Sequence, residues 1–299
     1  MINDLAIGAN DDIVIAWSGR FAEADPDDQY VSRWDGAAWS LLGGGLLLGD
    51  VYPVEAALAL TAAGDPVIAF SQAATPGNSA TDLYARRWTG SAWTSLGGKL
   101  DVNDAAATQT IDLALDQNGN PVVSWGERFY ASSFVKIWNP ATVSWQALGG
   151  SVSPIESAPP ILVRASGELV IAINHTDEML HLLTYNGVGW LVLGPPLRRS
   201  TERFAAGRAS LAENDEGEVM VGWAEFGTAD SAANVATLTD SGWQYAGAEI
   251  VATSPASLSN VRLQLIAGNT PAIAYTHYQP HQNGIFSFDA DTIFRYLNQ

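Results

Sequence analysis

The stretch WDGAAW at Trp34–Trp39 recurs as WTGSAW at Trp88–Trp93, and each copy is followed by a Gly-Gly pair in the same position. In both copies, aromatic residues flank a short turn that contains glycine. A turn of this kind between two aromatic ends predicts a tight β-hairpin, whose strands we call C and D. Related segments occur at Trp138–Trp145, Tyr185–Trp190, Thr239–Trp243 and Phe288–Ile293.

An apolar run that ends in a bulky residue precedes each of these hairpins. A leucine lies about 12 residues before the end of each run, and turns such as Gly64-Asp65-Pro66 separate the two. Each repeat therefore opens with a hairpin of strands A and B and spans about 50 residues. The strand B runs are Ile13–Trp17, Val67–Phe70, Val122–Trp125, Val170–Ile173, Val219–Trp223 and Ala272–Tyr275.

Four short strands per repeat, six repeats and no helical period predict an all-β protein, a six-bladed β-propeller with four antiparallel strands per blade. The whole chain, residues 1–299, is then one domain with blades at about 1–48, 49–102, 103–153, 154–200, 201–252 and 253–299. Because the first repeat has its own strand A and the last its own strand D at Thr292–Leu297, we predict no strand exchange between the termini. Glycines four residues past the D-strand tryptophan should end strand D; they are Gly43, Gly97, Gly149, Gly194 and Gly247.

The C–D hairpin resembles a kelch repeat, most closely at Ile137–Trp145. The Gly-Gly pair that ends strand B in kelch repeats is replaced here, for example by Ser71-Gln72. The pattern Trp-x-Gly-x-x-Trp-x-x-Leu-Gly-Gly at Trp88–Gly98 looks more like the repeats of bacterial surface and secreted propellers. The resemblance covers all six repeats, and it implies an architecture without implying an activity.

Eleven tryptophans could suggest a carbohydrate-binding platform. All of them occupy repeat positions, and a residue that recurs from blade to blade usually serves packing common to all blades. We therefore expect the tryptophans to pack between blades, where each can bury about 150–250 Å².

The composition excludes several classes of function. The net charge is -18, with 14 basic and 32 acidic residues, which disfavours binding to nucleic acids and to anionic membranes. The absence of cysteine excludes disulfides and thiolate chemistry. We expect no membrane insertion and no cofactor. The N-terminus lacks the pattern of a signal peptide, so we expect a cytoplasmic protein unless an export signal lies outside this chain, in which case a surface or extracellular location is favoured.

Function is expected on the face that carries the B–C and D–A connections, because these vary while the A–B and C–D turns are short and regular. Polar residues after strand B, together with arginines of one D–A connection, are the candidate ligand-binding residues there. They are Arg20, Gln72, Glu127, Arg128, His175, Arg203, Arg208, Glu225, His277 and Tyr278.

Metal binding and catalysis are less favoured interpretations of the same residues. We predict that His175, His277 and His281 are solvated loop histidines; a metal site formed by the three is the alternative, and we predict no metal site. The acidic loop Asp25–Asp28 lacks the spacing of a calcium loop and is predicted to be a solvated turn. Glu127 and Glu225 are the candidates if the chain hydrolyses glycosides.

The favoured function is a non-catalytic module that recognises a glycan or a protein with the long-loop face. Two alternatives stay open: an enzyme that acts on a polysaccharide or small molecule at the mouth of a central channel, and a structural domain of a larger surface protein. Fold class cannot separate these roles.

Overall fold

A computed structural model describes residues 1–9, 11–23, 25–77, 79–128, 132–153, 157–253, 256–266, 269–280 and 288–296, with the backbone alone at 109, 279–280, 288–294 and 296. The chain divides into two compact units. Unit 1 contains Met1–Val152, and unit 2 contains Pro159–Gln299. Every described strand pairing is antiparallel, and no α-helix occurs in these residues.

Unit 1 holds three four-stranded sheets, each a meander in sequence order. Sheet 1 consists of β1 (Ile2–Ile7), β2 (Ile13–Gly19), β3 (Asp28–Trp34) and β4 (Trp39–Leu41). Sheet 2 consists of β5 (Pro53–Leu60), β6 (Pro66–Ala73), β7 (Thr81–Trp88) and β8 (Trp93–Ser95). Sheet 3 consists of β9 (Ala107–Leu115), β10 (Pro121–Arg128), β11 (Ser132–Asn139) and β12 (Ser144–Ala147).

Unit 2 holds three further sheets. Sheet 4 consists of β13 (Ile161–Val163), β14 (Leu169–Asn174), β15 (Leu180–Tyr185) and β16 (Trp190–Val192). Sheet 5 consists of β17 (Arg203–Glu213), β18 (Val219–Gly227), β19 (Asp230–Thr239), β20 (Gly242–Tyr245) and β21 (Ile250–Thr253), the last two lying end to end along β19. Sheet 6 consists of β22 (Ser257–Ile266), β23 (Thr270–Pro280) and β24 (Phe288–Tyr296).

The second strand of each sheet forms the core, as its apolar run predicts. All eight residues of β6 are buried, and in β10 only the last of eight is exposed. Both faces of these strands are covered because apolar clusters fill the space between successive sheets. One cluster joins sheets 2 and 3 around Trp125, and another joins sheets 4 and 5 around Trp223.

A tryptophan at the start of the fourth strand links its sheet to the preceding one. The indole nitrogen of Trp93 donates to the Leu42 carbonyl at 2.6 Å, and that of Trp145 donates to the Leu96 carbonyl at 2.7 Å. Trp243 makes the same bond to the Pro195 carbonyl at 2.7 Å. Each indole thus satisfies its donor while its ring packs on the neighbouring sheet.

Gly97 follows one of these carbonyls and explains why glycine recurs there. Its φ of +71° is left-handed, and a Cβ at this position would lie 3.0 Å from the Trp138 ring and 3.5 Å from Trp145. The prediction that glycine bends the chain after strand D is confirmed, since Gly43, Gly149, Gly194 and Gly247 also have positive φ.

The packing prediction for the tryptophans holds for some and fails for one. Trp88, Trp125, Trp138 and Trp223 are buried. Trp39, by contrast, is 50% exposed, although it occupies the same repeat position as Trp93 and Trp145. It pairs with Trp34 at a ring-centroid distance of 5.7 Å.

The last repeat departs from the prediction of a C–D hairpin. Phe288–Tyr296 forms one continuous strand that pairs with β23, so strand D at Thr292–Leu297 is wrong for the described residues. The segment Asp289-Ala-Asp-Thr lacks the glycine, asparagine or proline found in the turns of the other C–D hairpins, and β24 pairs with β23 throughout it.

Several connections predicted as loops are strands. The sequence predicts a loop for the B–C connection that follows the strand B run Val219–Trp223, but residues 224–233 lie almost entirely in β18 and β19. The D–A connection that leads into the last repeat contains β21. Backbone pairing continues past Trp223, the predicted end of strand B, as far as Phe226, because β19 extends equally far. None of the described segments is a helix long and apolar enough to span a bilayer.

Trp145→Ala should lower the free energy of unfolding by about 3–5 kcal/mol, because it removes a packed indole and its hydrogen bond to Leu96. Trp39→Ala is the matched control and should cost under about 1 kcal/mol, since that ring is half exposed. Chemical denaturation of both variants measures the difference. Equal losses of unfolding free energy would contradict the role of Trp145 in joining its sheet to the preceding one.

Gly97→Ala should lower the free energy of unfolding by about 1–3 kcal/mol, because alanine is strained at positive φ and its Cβ meets the Trp138 ring. Gly98→Ala is the control: no atom lies within 4 Å of the added Cβ, so stability should change by less than about 0.5 kcal/mol. Thermal unfolding compares the two, and a tolerated Gly97→Ala would overturn the steric argument.

Candidate functional site

Three of the predicted ligand-binding residues form hydrogen bonds to the backbone of the connection that leads into their own sheet. Gln72, in β6, accepts from the Leu48 amide at 2.7 Å and donates to the Leu48 carbonyl at 3.0 Å. Glu127, in β10, accepts from the Val102 amide at 2.6 Å. Both residues belong to a strand and not to a loop, because β6 and β10 extend beyond the predicted ends of strand B at Phe70 and Trp125.

Glu225 repeats this arrangement in unit 2. Its carboxylate accepts from the amides of Arg199 at 2.6 Å and Ser200 at 3.3 Å, and from the Trp223 indole at 3.2 Å. The Trp125 indole donates to Glu127 in the same way, at 3.1 Å. A ligand that bound these buried carboxylates would have to displace the backbone amides that they hold.

Arg203 and Glu225 are predicted site residues that the structure brings together. The guanidinium Nε lies 3.5 Å from the Glu225 carboxylate, and Nη1 lies 3.2 Å from Asp230. Nη2 donates to Glu249. Burial lowers the pKa of Arg203, but the three carboxylates outweigh that effect and raise it. The cluster ties β17 to β18, β19 and the segment before β21.

The remaining predicted residues lie on several elements. Arg20 is exposed, lies 3.9 Å from Asp27 and donates to the Glu23 carbonyl at 3.1 Å. Arg128 is exposed at the end of β10, and Arg208 is half-buried where the β17–β18 register shifts. His277 and Tyr278 are half-buried in β23, opposite Leu258 and Ser257. His281 lies outside the described residues.

Two side chains of the acidic loop Asp25–Asp28 accept hydrogen bonds from backbone amides. Asp28 accepts from the amides of Leu46 and Leu47, each at 2.9 Å, and Asp25 accepts from the Ala22 amide at 3.0 Å. Asp28 therefore holds the connection after β4 much as Gln72 holds Leu48.

A cavity of about 460 Å³ lies in unit 2 at the end of sheet 5 where β17 turns into β18. We call it the β17–β18 pocket. It lies at the short-turn end of the strands, where the sequence predicts no binding residues. The lining residues are Asn214, Glu216, Glu218, Met220, Thr237, Thr239, Gln244, Tyr245, Ala246, Gly247 and Asn269.

The polar groups of this pocket are fixed in position. Asn269 donates to Glu216 at 3.0 Å, and Asn214 donates to Glu218 at 2.9 Å. The Tyr245 ring is 40% exposed and carries the Arg199 guanidinium 4.7 Å from its centroid. Burial, and next the charge of Glu225, raise the pKa of Tyr245.

A second cavity, of about 430 Å³, adjoins the same turn on the side of sheet 4. It shares Glu216, Glu218 and Thr239 with the first pocket and adds Arg164 and Asp240. The Arg164 Nε donates to Glu213 at 3.0 Å. One acidic turn thus faces two cavities.

The turn between β14 and β15 gathers two histidines and an aspartate. His181 Nε2 lies 2.8 Å from an Asp177 oxygen, His175 Nδ1 lies 3.3 Å from the other, and the two imidazole centroids are 4.7 Å apart. His175 is one of the site residues predicted from the sequence, whereas Asp177 and His181 are not. The spacing His-x-Asp-x-x-x-His across a tight turn is the signal that could have found them.

No protein-family model matches the sequence, and no curated protein matches it either. Among solved structures, an ulvan lyase of a polysaccharide lyase family aligns with a TM-score of 0.59 and 12% identity, over 98% of this chain and 78% of the lyase. The SapL1 lectin, in complex with α-methyl fucoside, aligns with a TM-score of 0.55 and 12% identity, over 98% and 95%.

A Hadza microbial sialidase, Hz136, aligns with a TM-score of 0.55 and 12% identity, over 91% of this chain and 62% of the sialidase. The structural neighbours are β-propeller-like lectins and lyases, and at such low identity the likeness concerns the fold alone. The chain is thus an all-β, β-propeller-like protein. The sequence prediction of a propeller is confirmed at that level.

Glu127→Ala should lower the free energy of unfolding by about 1–3 kcal/mol, because the Val102 amide and the Trp125 indole lose their acceptor. Glu127→Gln keeps an acceptor, as Gln72 does in sheet 2, and should cost under about 1 kcal/mol. Urea denaturation measures both, and an unchanged stability in Glu127→Ala would contradict the structural role of this side chain.

Proposed function

We propose that this protein is a non-catalytic glycan-binding module and that it binds its ligand in the β17–β18 pocket. The observation that carries the proposal is an exposed aromatic ring, Tyr245, beside carboxylate, amide and hydroxyl groups in one cavity. Sugars present apolar C–H faces and many hydroxyls, so a ring and fixed hydrogen-bonding groups suit both. The volume of about 460 Å³ falls within the usual range of small-molecule sites, about 300–1,000 Å³.

The charge of the pocket favours a neutral sugar. Glu216 and Glu218 are its charged lining residues among those described, and the whole chain carries a net charge of -18. Carboxylates accept hydrogen bonds from sugar hydroxyls but repel the carboxylate or sulfate of an acidic sugar. The preferred ligand is therefore an uncharged glycan.

The comparisons lend support through the scaffold. One similar fold is a lectin in complex with α-methyl fucoside, and others are a polysaccharide lyase and a sialidase. Both lectins and glycan-acting enzymes thus use scaffolds of this kind. Here Glu216 and Glu218 are each held by an asparagine amide, which suits fixed acceptors for a ligand.

The scaffold that we propose is a single six-bladed propeller in which sheets 1–6 are the blades. Six sheets in the described residues and the repeated indole-to-carbonyl bond support this count. An experimental structure of the full chain tests it, and a different number of blades would overturn it.

Tyr245→Ala and Glu216→Gln should each weaken binding to neutral oligosaccharides at least about tenfold, because one removes the ring and the other a charged acceptor. A glycan array followed by calorimetry on the best neutral ligand gives the measurement. Val192→Ala is the control: Val192 is exposed two residues after Trp190, as Tyr245 is after Trp243, and it does not line the pocket. Its affinity should equal that of the unchanged protein.

Other outcomes would identify the alternatives. If Tyr245→Ala binds normally while Arg128→Gln and His277→Gln lose affinity, the ligand binds at the long-loop face that the sequence predicts. New reducing ends after incubation with the ligand would make the protein an enzyme. If no glycan binds, the proposal is wrong, and the role of structural domain gains support.

A further inference from the structure

The β14–β15 turn places two imidazoles and a carboxylate around one point. Strand pairing sets Asn174 opposite Leu180 and Ile173 opposite His181, which brings His181 back beside His175. The turn is closed by the His175 amide, which donates to the Met179 carbonyl at 3.0 Å, and Glu178 has a left-handed φ of +68°. Asp177 thus lies between the two rings because of the backbone path.

The nitrogen and oxygen atoms of this cluster have the spacing of metal ligands. One ligand atom from each of His175, Asp177 and His181 lies within 4.8 Å of the others. Around a tetrahedral zinc ion, with bonds of about 2.0–2.1 Å, neighbouring ligand atoms lie about 3.4 Å apart. The pair His175 Nδ1 and Asp177 Oδ1 is already at 3.3 Å.

One nitrogen atom of the cluster, His175 Nδ1, has no hydrogen bond within the described part of the chain. His175 Nδ1 is buried and lacks a hydrogen-bond partner among the described residues, although it faces the Asp177 carboxylate. A buried polar atom without a partner is uncommon and calls for a physical explanation. A metal ion bound to this nitrogen and to the facing carboxylate oxygen would give the nitrogen a partner.

We propose that His175, Asp177 and His181 bind a divalent transition-metal ion of the zinc type. Two imidazoles and one carboxylate suit such an ion, whereas calcium and magnesium prefer a shell made of oxygen atoms. The side chains of His175 and Asp177 are 42% and 39% exposed, so they can rotate by the small amount that coordination needs. This site goes beyond the proposed glycan binding and lies at the opposite end of the strands from the β17–β18 pocket.

Three protein ligands leave a fourth position on the ion. In a tetrahedral site that position takes water or an external ligand. His181 is the least exposed member, at 14%, and anchors the site, while the other two line its open side. The ion would also fix the turn, since two of its ligands precede β15 and the third lies within it.

A purely structural account of the cluster also exists. Asp177 accepts from the Met179 amide at 3.1 Å and from His181, so it stabilises the turn without a metal. Burial raises the pKa of Asp177, but these hydrogen bonds and the neighbouring histidines outweigh it and lower the pKa. A measurement that responds to the metal itself distinguishes the two accounts.

Calorimetric titration of ZnCl₂ into tag-free, chelator-treated full-length protein tests the site. We expect one zinc ion per chain, and His175→Gln, Asp177→Asn and His181→Gln should each weaken the affinity at least about tenfold. His181→Gln can still hydrogen-bond to Asp177, so a loss of zinc binding in that variant is not explained by loss of the turn. Circular dichroism verifies that every variant is folded.

Glu178→Gln is the matched control, because it removes a carboxylate from the same turn that lies 3.5 Å from Arg198 and outside the cluster. Its zinc affinity should stay within about twofold of the unchanged protein. The absence of zinc binding to the unchanged protein would overturn the proposal. So would equal binding by His181→Gln. Neither result bears on the oligosaccharide measurements at Tyr245.

Discussion

Three pairs of successive sheets, 1 and 2, 2 and 3, and 4 and 5, are each joined by an indole N–H that donates to a backbone carbonyl of the preceding sheet. Trp93, Trp145 and Trp243 make this bond at 2.6–2.7 Å. A glycine follows Leu42 and Leu96, since any side chain there would meet the aromatic rings that pack above it. In these three repeats the C–D hairpin presents its tryptophan to the sheet before it.

Buried side chains at the ends of the second strands hold the long connections in place. Gln72, Glu127 and Glu225 each accept from a backbone amide about 25 residues upstream in the chain. A buried carboxylate is tolerated only when its oxygens are satisfied, and here backbone amides and indoles satisfy them. The sequence predicts these residues to bind a ligand, whereas their observed contacts show that they stabilise the fold.

Side chains that have no packing role in the repeat are therefore the better candidates for ligand binding. The β17–β18 pocket combines the Tyr245 ring with Glu216 and Glu218 at the short-turn end of sheet 5. The histidine and aspartate cluster lies at the other end of the strands, in the turn before β15. The two groups lie at different ends of the strands in unit 2 and differ in their chemistry.

Local turn chemistry and periodic spacing are sufficient to predict the all-β class, five of the six C–D hairpins and the glycines at positive φ. The sequence alone could not determine how far strands extend, since pairing beyond Trp223 and through Asp289–Thr292 depends on the partner strand. Nor could it determine that Trp39 stays half exposed while Trp93 and Trp145 are packed. The contact between His175 and His181 arises within one hairpin and could be predicted from the spacing across its turn. The burial of each side chain and the bond between Glu127 and Val102 depend instead on residues that are far apart in the chain, which only the packing in three dimensions brings together.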